Sequence, residues 1–451
     1  MSQGYLQDKQ IWVSVLPEDK ANPFSQDIDQ SMFIAAEDPR QLTDLGQRLL
    51  EQGDVETAGL YFQRALALRP DNYVCLYNCG ITLKRLCRFQ EAQRCFQTIL
   101  QSKPDCLKSL SHLGDIYREY AQFDRAIEYF NQAIAIEPEY HDARFGLSLI
   151  YFLQGRWEEA WPLYDARLPR LVSSRRTAFE IPPERIWDGM MRPDDTLLVV
   201  WEQGIGDLIQ FSRYLMIARS RVKSLVFVCP TRFQSLISPL DCVDQFVSNP
   251  KKVHWDTAVY LLSLPGELGT TVDDVPFSEA YIQAPSEPVD LWRDRILRDT
   301  FNVGLCWAGS SANPRDRLRS IELKWFEPLA AVQNIRLHSL QVGERSLGSN
   351  HVNHGLSLKD WSKQLTDFTQ TAGLIHHLDL VITCDTSVAH LAGAMGKPVW
   401  MLVSHVPDWR WLMDCEDTPW YRSMRIFRQD QPGQWDQPVR QVCHELARVV
   451  K

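Results

Sequence analysis

The feature that most restricts this chain is a 34-residue period in its first third. Gly46, Gly80 and Gly114 recur at that interval. So do Ala58, Ala92, Ala126 and Ala160, and so do Phe62, Phe96, Phe130 and Tyr164. Pro70, Pro104 and Pro138 close three units at the same spacing. Such a pattern suits pairs of antiparallel helices: glycine and alanine where the helices touch, an aromatic filling the space between repeats, and proline stopping the second helix. Each hairpin buries its apolar face only against a neighbour, so three units are near the minimum for a stable array.

These positions resemble the tetratricopeptide repeat, with "LG" at Leu45 and Leu113, "EA" at Glu91 and Ala92, and "YF" at Tyr61 and Tyr129. A degenerate fourth unit, "HDARFGLSLIYFLQGRWEEAWPLYDARL", keeps Tyr151, Ala160 and Tyr164 but lacks the glycine at 148 and the closing proline, as a cap or a bridge would. The array is expected over 39–172. Residues 1–38 show no clear period and are set apart as an N-terminal arm. The resemblance implies a groove for a protein or peptide partner, although a spacer or a dimerisation surface would use the same fold.

A chain of 451 residues is too long for one ordinary core, and 45% hydrophobic residues supply material for two or three. With 48 basic against 57 acidic residues the net charge is -9, which argues against nucleic acid as the principal partner. No window approaches the roughly 18 apolar residues of a membrane helix, and no signal peptide is apparent, so a cytoplasmic protein is expected. Eleven cysteines without a C-x-x-C pattern indicate neither a disulfide framework nor a zinc site.

From Thr196 onward apolar runs alternate with amphipathic segments, the signature of parallel α/β units. "TLLVVW", "SLVFVCP" and "DQFVSN" read as strands of one lobe, 187–285. "FNVGLCWAG", "IRLHSLQV", "DLVITCD" and "PVWMLV" read as strands of a second lobe, 286–451. The proline- and charge-rich stretch near 285 marks the boundary. "DLIQFSRYLMIARSR" and "LKWFEPLAAV" are expected to be helices. The final helix, "WDQPVRQVCHELARVV", has the pattern to fold back on either half. The fold class is therefore a helical solenoid followed by two Rossmann-like α/β lobes, whose ligands lie beyond the carboxyl ends of the strands.

Three loops follow strands where a ligand would lie. In "EQGIGD", Gly204 and Gly206 permit close backbone approach and Asp207 opens a helix; Ile209 replaces the third glycine of a dinucleotide fingerprint. In "ITCDTSVAHLAGAMGKP", Asp385 is placed to cap the next helix. Thr386 and Ser387 fall at its first positions, where free N–H groups favour a phosphate, and His390 sits one turn further in. In "CWAGSSANPRDRLRSIEL", Arg315, Arg317 and Arg319 suit a diphosphate clamp or a solvated cluster.

Together, "GIGDLIQFSRYL", "VGLCWAGS" and "DLVITCDTSVAHLAGAMGKPVW" resemble the ADP-heptose:lipopolysaccharide heptosyltransferase family of GT-B glycosyltransferases, over 187–451. The resemblance implies Asp207 as the base and a diphosphate at Asp385, Thr386, Ser387 and His390. Where that family carries glycine, Ser387 stands; Arg319 substitutes for its phosphate-binding lysine and Glu344 for its ribose-binding acid. Gln203, Gly204 and Gly206 belong to the acceptor side or its loop; in "PDWRW", Trp409 suits an acceptor wall or core packing equally, and Asp408 and Arg410 suit a pair with one another. The implied reaction moves a sugar from a nucleoside-diphosphate donor to an acceptor, with inversion and without a metal or other cofactor. The only D-x-D, at 27–29, lies outside the catalytic half, and His351, His354, His376 and His377 lack a matching carboxylate cluster. The competing expectation is a tetratricopeptide adaptor whose α/β half only binds a nucleotide or a partner.

Overall fold

The structure is a computed structural model that describes residues 38–173, 179–347 and 355–450. The expected N-terminal arm, the D-x-D, His351 and His354 lie outside the described residues, apart from residue 38. The chain divides into two compact units, one formed by 38–117 with 124–138 and the other by 118–123 with 139–450.

The first unit is built from helices α1 (Pro39–Gln52), α2 (Val55–Leu68), α3 (Tyr73–Arg85), α4 (Phe89–Ser102), α5 (Leu107–Glu119, whose last two residues fall in the second unit) and α6 (Phe123–Ile136, whose first residue does). Side-chain caps start the first three helices. Asp38 accepts from Arg40 N–H, with Pro39 at the first helical position, Asp54 accepts from Thr57 N–H and Asn72 from Cys75 N–H. The three prolines of the period each fall two residues beyond the end of the second helix. The recurring glycine and phenylalanine meet within one hairpin. A Cβ added to Gly46, Gly80 or Gly114 would stand 2.8, 2.7 or 2.6 Å from the ring of Phe62, Phe96 or Phe130. The aromatic thus lies on the glycine of its own repeat, where the sequence suggested a filler between repeats. Each of these rings is fully buried, worth about 1.5–3 kcal/mol of transfer free energy.

Helices α7 (His141–Leu153) and α8 (Trp157–Tyr164), the fourth hairpin, belong to the second unit. Pro162 withdraws a hydrogen bond from α8, which stops after eight residues and tightens into a 3-10 turn, Asp165–Arg167. Two fully parallel sheets follow. The first contains β1 (Arg192–Val200), β2 (Val222–Val228), β3 (Gln245–Val247) and β4 (Thr257–Tyr260) in the order β3-β2-β1-β4. The second contains β5 (Phe301–Cys306), β6 (Ile335–Ser339), β7 (Leu358–Asp360), β8 (Leu380–Cys384), β9 (Val399–Val403) and β10 (Met424–Arg428) in the order β10-β9-β8-β5-β6-β7. Strand order reverses between β1 and β4 and between β5 and β8, and a ligand crevice forms at such reversals.

Several segments depart from expectation. The 207–221 helix is two, α9 (Ile205–Phe211) and α10 (Arg213–Ser220), broken at Ser212. The helix expected at "LKWFEPLAAV" is a 3-10 segment, Leu323–Ala331, because Pro328 has no N–H for an α-helical bond. Helix α11 (Phe368–His376) precedes β8, and α12 (Ser387–Ala394) follows it. The final helix, α13 (Asp436–Val449), buries Val439, Val442 and Leu446 in the core of the second sheet. A single apolar cluster runs from Phe152 and Trp157 of the fourth hairpin through Leu197 of β1 to Val381 of β8.

Candidate active site

The loop after β1 is held from both ends. Glu202 is buried, and its Oε1 accepts from Arg167 Nη2 at 2.8 Å and from Leu262 N–H at 3.3 Å. Burial pushes the Glu202 carboxyl up to about 7 against the pull of Arg167. Gln203, exposed, takes the left-handed conformation at φ 71°, a backbone cost that a side-chain-bearing residue bears only when its surroundings impose it. Gly204 is the N-cap of α9 in extended conformation. The second glycine has a steric reason: a Cβ on Gly206 would stand 2.8 Å from His390 Cδ2, so α9 approaches α12 only because Gly206 has no side chain.

Asp207 occupies the third position of α9. Its Oδ2 accepts from Gly204 N–H at 2.9 Å, and its Oδ1 pairs with Arg410 Nη2 at 2.6 Å. Burial pushes its carboxyl above the usual aspartate range, and Arg410 and the Gly204 N–H offset that only in part. Arg410 is buried, donates through Nη1 to Asp408 Oδ1 at 2.8 Å and through Nε to Gln210 Oε1, and lies over the rings of Trp409 and Phe211. One guanidinium thus bridges Asp207, beyond the first sheet, to Asp408, in the loop beyond β9. Burial opposes ionisation of Asp408 as well, but Arg410 outweighs it and holds that carboxyl below its ordinary value.

Asp408 also lines a small polar cleft at the carboxyl ends of β5, β8 and β9. Asn313, Arg315 and Arg319 come to it from the loop after β5, Asp385 from the end of β8, and Ser404 and Pro407 from the loop after β9. Arg319 Nη1 donates to the Asp385 carbonyl at 3.0 Å, and its guanidinium lies so close on Gly309 that any Cβ there would overlap it. Its Nε is a buried donor without a hydrogen-bond acceptor among the described residues and faces Asp316 at 3.8 Å. Arg315 Nη2 donates to the Val406 carbonyl at 2.8 Å. Burial, reinforced by Asp408, pushes the Asp385 carboxyl up, and Arg319 opposes it. Arg315, which also pairs with Glu119, and Arg319 share one small cleft with the carboxyls of Asp385 and Asp408, a mixture that suits a ligand carrying both anionic oxygens and hydroxyl groups.

Asp385 itself is not the cap of α12. Thr386 is: its Oγ1 accepts from Val388 N–H at 3.3 Å, and the half-buried Ser387 begins the helix. His390 is not brought to the cleft. It is buried against Gly206, with Nδ1 3.0 Å from the Tyr421 hydroxyl, and burial followed by the charge of Arg410 pushes its pKa down to about 3, so the ring is neutral. Glu344 is exposed on the 3-10 turn Gly343–Arg345 after β6 and does not line the cleft. Trp409 forms no acceptor wall. It is buried, stacked on Phe152 at 4.2 Å, with Trp161 and Tyr164 edge-on at 5.8 Å.

Sequence reasoning gave Asp408 and Arg410 no role beyond pairing with each other, and read the fourth hairpin only as a cap or a bridge. The available signal was Trp157, Trp161 and Tyr164 crowded onto one short helix that also lacks the repeat's closing proline. Among the described residues no group of three or more histidine, cysteine, aspartate or glutamate side chains is arranged to hold a metal ion. No helix there is long and apolar enough to cross a membrane.

A repeat array followed by two parallel sheets, with a polar cleft at the strand reversal of the second, is the plan of a helical solenoid joined to a two-lobed α/β domain. Residues 49–113 and 113–171 match tetratricopeptide repeat families, and 364–433 match glycosyltransferase family 9 (heptosyltransferase). The chain carries tetratricopeptide repeats toward its N-terminus and a glycosyltransferase family 9 domain toward its C-terminus. The matched part of the latter includes Asp385, Asp408 and Arg410; Asp207 lies outside it. Protein FlbA of Caulobacter vibrioides is 23% identical over 466 residues, covering 89% of this chain and 77% of FlbA. A CTR9 homolog of Arabidopsis thaliana is 28% identical over 108 residues, 23% of this chain and 10% of that protein. Among solved structures, E. coli ADP-heptose lps heptosyltransferase II is similar over 57% of this chain and 98% of its own, with a TM-score of 0.42 and 12% identity. MamA from Desulfovibrio magneticus RS-1 is similar over 31% and 76%, with a TM-score of 0.26 and 22% identity.

Proposed function

We propose that the C-terminal domain transfers a sugar from a nucleoside diphosphate to an acceptor hydroxyl or side chain with inversion at the anomeric carbon. The observation that carries this reading is the bridge from Asp207 through Arg410 to Asp408, which links a carboxylate on one lobe to an arginine-lined cleft on the other. The acceptor proton passes to Asp207 as the acceptor oxygen bonds to the anomeric carbon. The bond from that carbon to the diphosphate breaks, and the electron pair leaves on the phosphate oxygen. Burial makes Asp207 a stronger base than an ordinary aspartate, and Arg410 keeps it from being neutralised outright. Arg319 and Arg315, with the first N–H groups of α12, stabilise the departing charge, and no divalent ion enters the scheme. Asp385 accepts from donor hydroxyl groups. The repeat array presents a protein acceptor to this domain.

Melting curves against a panel of nucleoside diphosphates and their sugars test the reading. At least one should raise the melting temperature, and Asp207→Asn should keep that rise while losing about 10²- to 10⁴-fold in donor turnover. If no nucleotide stabilises the protein, the transferase reading fails. Binding with turnover indifferent to the substitution would remove Asp207 as the base.

A further inference from the structure

We propose that the fourth helical hairpin, with the 3-10 turn that ends it, is a positioning element of the transferase site, holding Arg410 and the loop of Asp207 in register. The proposal rests on the reading of Asp207 as the base, and two contact routes carry it. On one route Phe152 stacks on Trp409 with the ring planes 28° apart, while Trp161 and Tyr164 close around the same indole. The Arg410 guanidinium lies 4.7 Å from the Trp409 ring centroid and 5.3 Å from that of Phe211, so the place of Trp409 sets the place of the cation that binds Asp207.

The second route begins at Arg167. Its Nη2 donates to Glu202 and, at 2.9 Å, to Ser263 Oγ, and both it and Glu202 are buried. Glu202 lies two residues before Gly204, whose N–H holds the other oxygen of Asp207. The two oxygens of Asp207 are therefore fixed by two partners, and each partner is steadied by the hairpin. A hairpin that served only to end a repeat array would need an apolar face; it would have no use for a buried arginine aimed at the strand-end loop. The charged groups that bear on Asp207 are Arg410 and Asp408 from the turn after β9 and Arg167 from the hairpin.

The test is made on the full chain by following the Asp207 carboxyl carbon through a pH titration with ¹³C-labelled aspartate, the signal assigned by its loss in Asp207→Asn. Arg410→Gln gives the reference displacement. Phe152→Leu keeps the site apolar but removes the flat face under Trp409. It should move the midpoint upward, in the direction of Arg410→Gln, by about one pH unit. Ile150→Val, a core trim in the same helix, should leave it in place. Should Phe152→Leu fail to fold, Trp161→Phe takes its place with the same expected direction. An unmoved midpoint in the folded variant overturns the proposal, and so does an equal displacement in Ile150→Val, because generic loosening would then suffice. The titration needs no donor or turnover. A protein that binds no nucleotide but shows the shift would lose the transferase reading and keep the positioning one.

Discussion

The three regular repeats and the fourth hairpin descend from one sequence pattern and use it differently. In the regular repeats a phenylalanine lies on a glycine of the same hairpin, and the contact repeats with little change at Phe62, Phe96 and Phe130. In the fourth hairpin Ser148 stands at the glycine position, its hydroxyl spent on the Phe145 carbonyl, and the aromatics are directed outward from the hairpin to Trp409 and Trp420. Repetition serves an array, because each interface must suit the next unit. Departure from the repeat serves a fixed junction with one non-repeating neighbour.

The largest test of that contrast is Trp157→Ala. Trp157 is fully buried, stacked on Trp420 at 5.1 Å, with its indole N–H bonded to the Phe152 carbonyl. A cost of about 3–5 kcal/mol is expected. Hydrogen exchange should show the loss in peptides of the two sheets and not in peptides of residues 39–117. Loss of protection confined to the repeats would break the comparison.

Next in size is a pH effect at the Arg167–Glu202 junction. The Glu202 carboxyl is raised by burial to about 7 in the folded protein, against about 4.3 when unfolded. A raised carboxyl pKa means that the folded state holds the proton more tightly. The stability it contributes is present below about pH 4.3 and is lost as pH rises through 7. Wild type measured against Glu202→Gln by chemical denaturation should therefore lose roughly 4 kcal/mol of relative stability across that window and be flat above it. Referring wild type to the variant cancels the opposite contribution of His390, whose depressed pKa costs stability as pH falls below about 6.5. A relative stability that rises with pH would mean that Arg167 dominates over burial.

The regular repeats supply the third test. Gly114→Val would place atoms inside the ring of Phe130, at an expected cost of about 1–3 kcal/mol. The loss should appear by hydrogen exchange in residues 107–117 and 124–136, and the nucleotide-induced melting shift should be unchanged.

What could be read from the sequence follows the range of the interactions. Helix pairs were legible because Gly80 and Phe96 are 16 residues apart and the spacing recurs; β1, β5, β8 and β9 were legible because buried parallel strands are unbroken apolar runs. Strands β4 and β7, four and three residues long, were not seen, whereas β3, equally short, was. The cleft around Asp385 and Arg319 followed from the rule about strand ends. Arg410 did not, because its partner Asp207 is 203 residues away and nothing local marks an arginine as buried. The family resemblance refers His390 to a diphosphate, yet its direction is set by Gly206 of another helix. Trp409 was ambiguous for the same reason: an indole beside a cleft and one in a core have the same neighbours in sequence.

The smallest test compares two caps that sequence pattern alone would rank as equals. Asn72 caps α3 in the repeats by accepting from Cys75 N–H at 3.2 Å, and Thr386 caps α12 beside the cleft by accepting from Val388 N–H at 3.3 Å. Replacing either by alanine should cost about 1 kcal/mol, since each frees one helix N–H from its acceptor. The consequences should differ. In Asn72→Ala only the local exchange of α3 should change. In Thr386→Ala the hydroxyl is lost where Thr383 and Cys306 also approach it, at 3.2 and 3.8 Å, directly after the strand that carries Asp385. That variant should also lower nucleoside-diphosphate affinity by a few-fold, measured by calorimetry, while Asn72→Ala leaves it unchanged. Equal affinities in both variants would make Thr386 an ordinary helix cap and would place the anion wholly on the arginines.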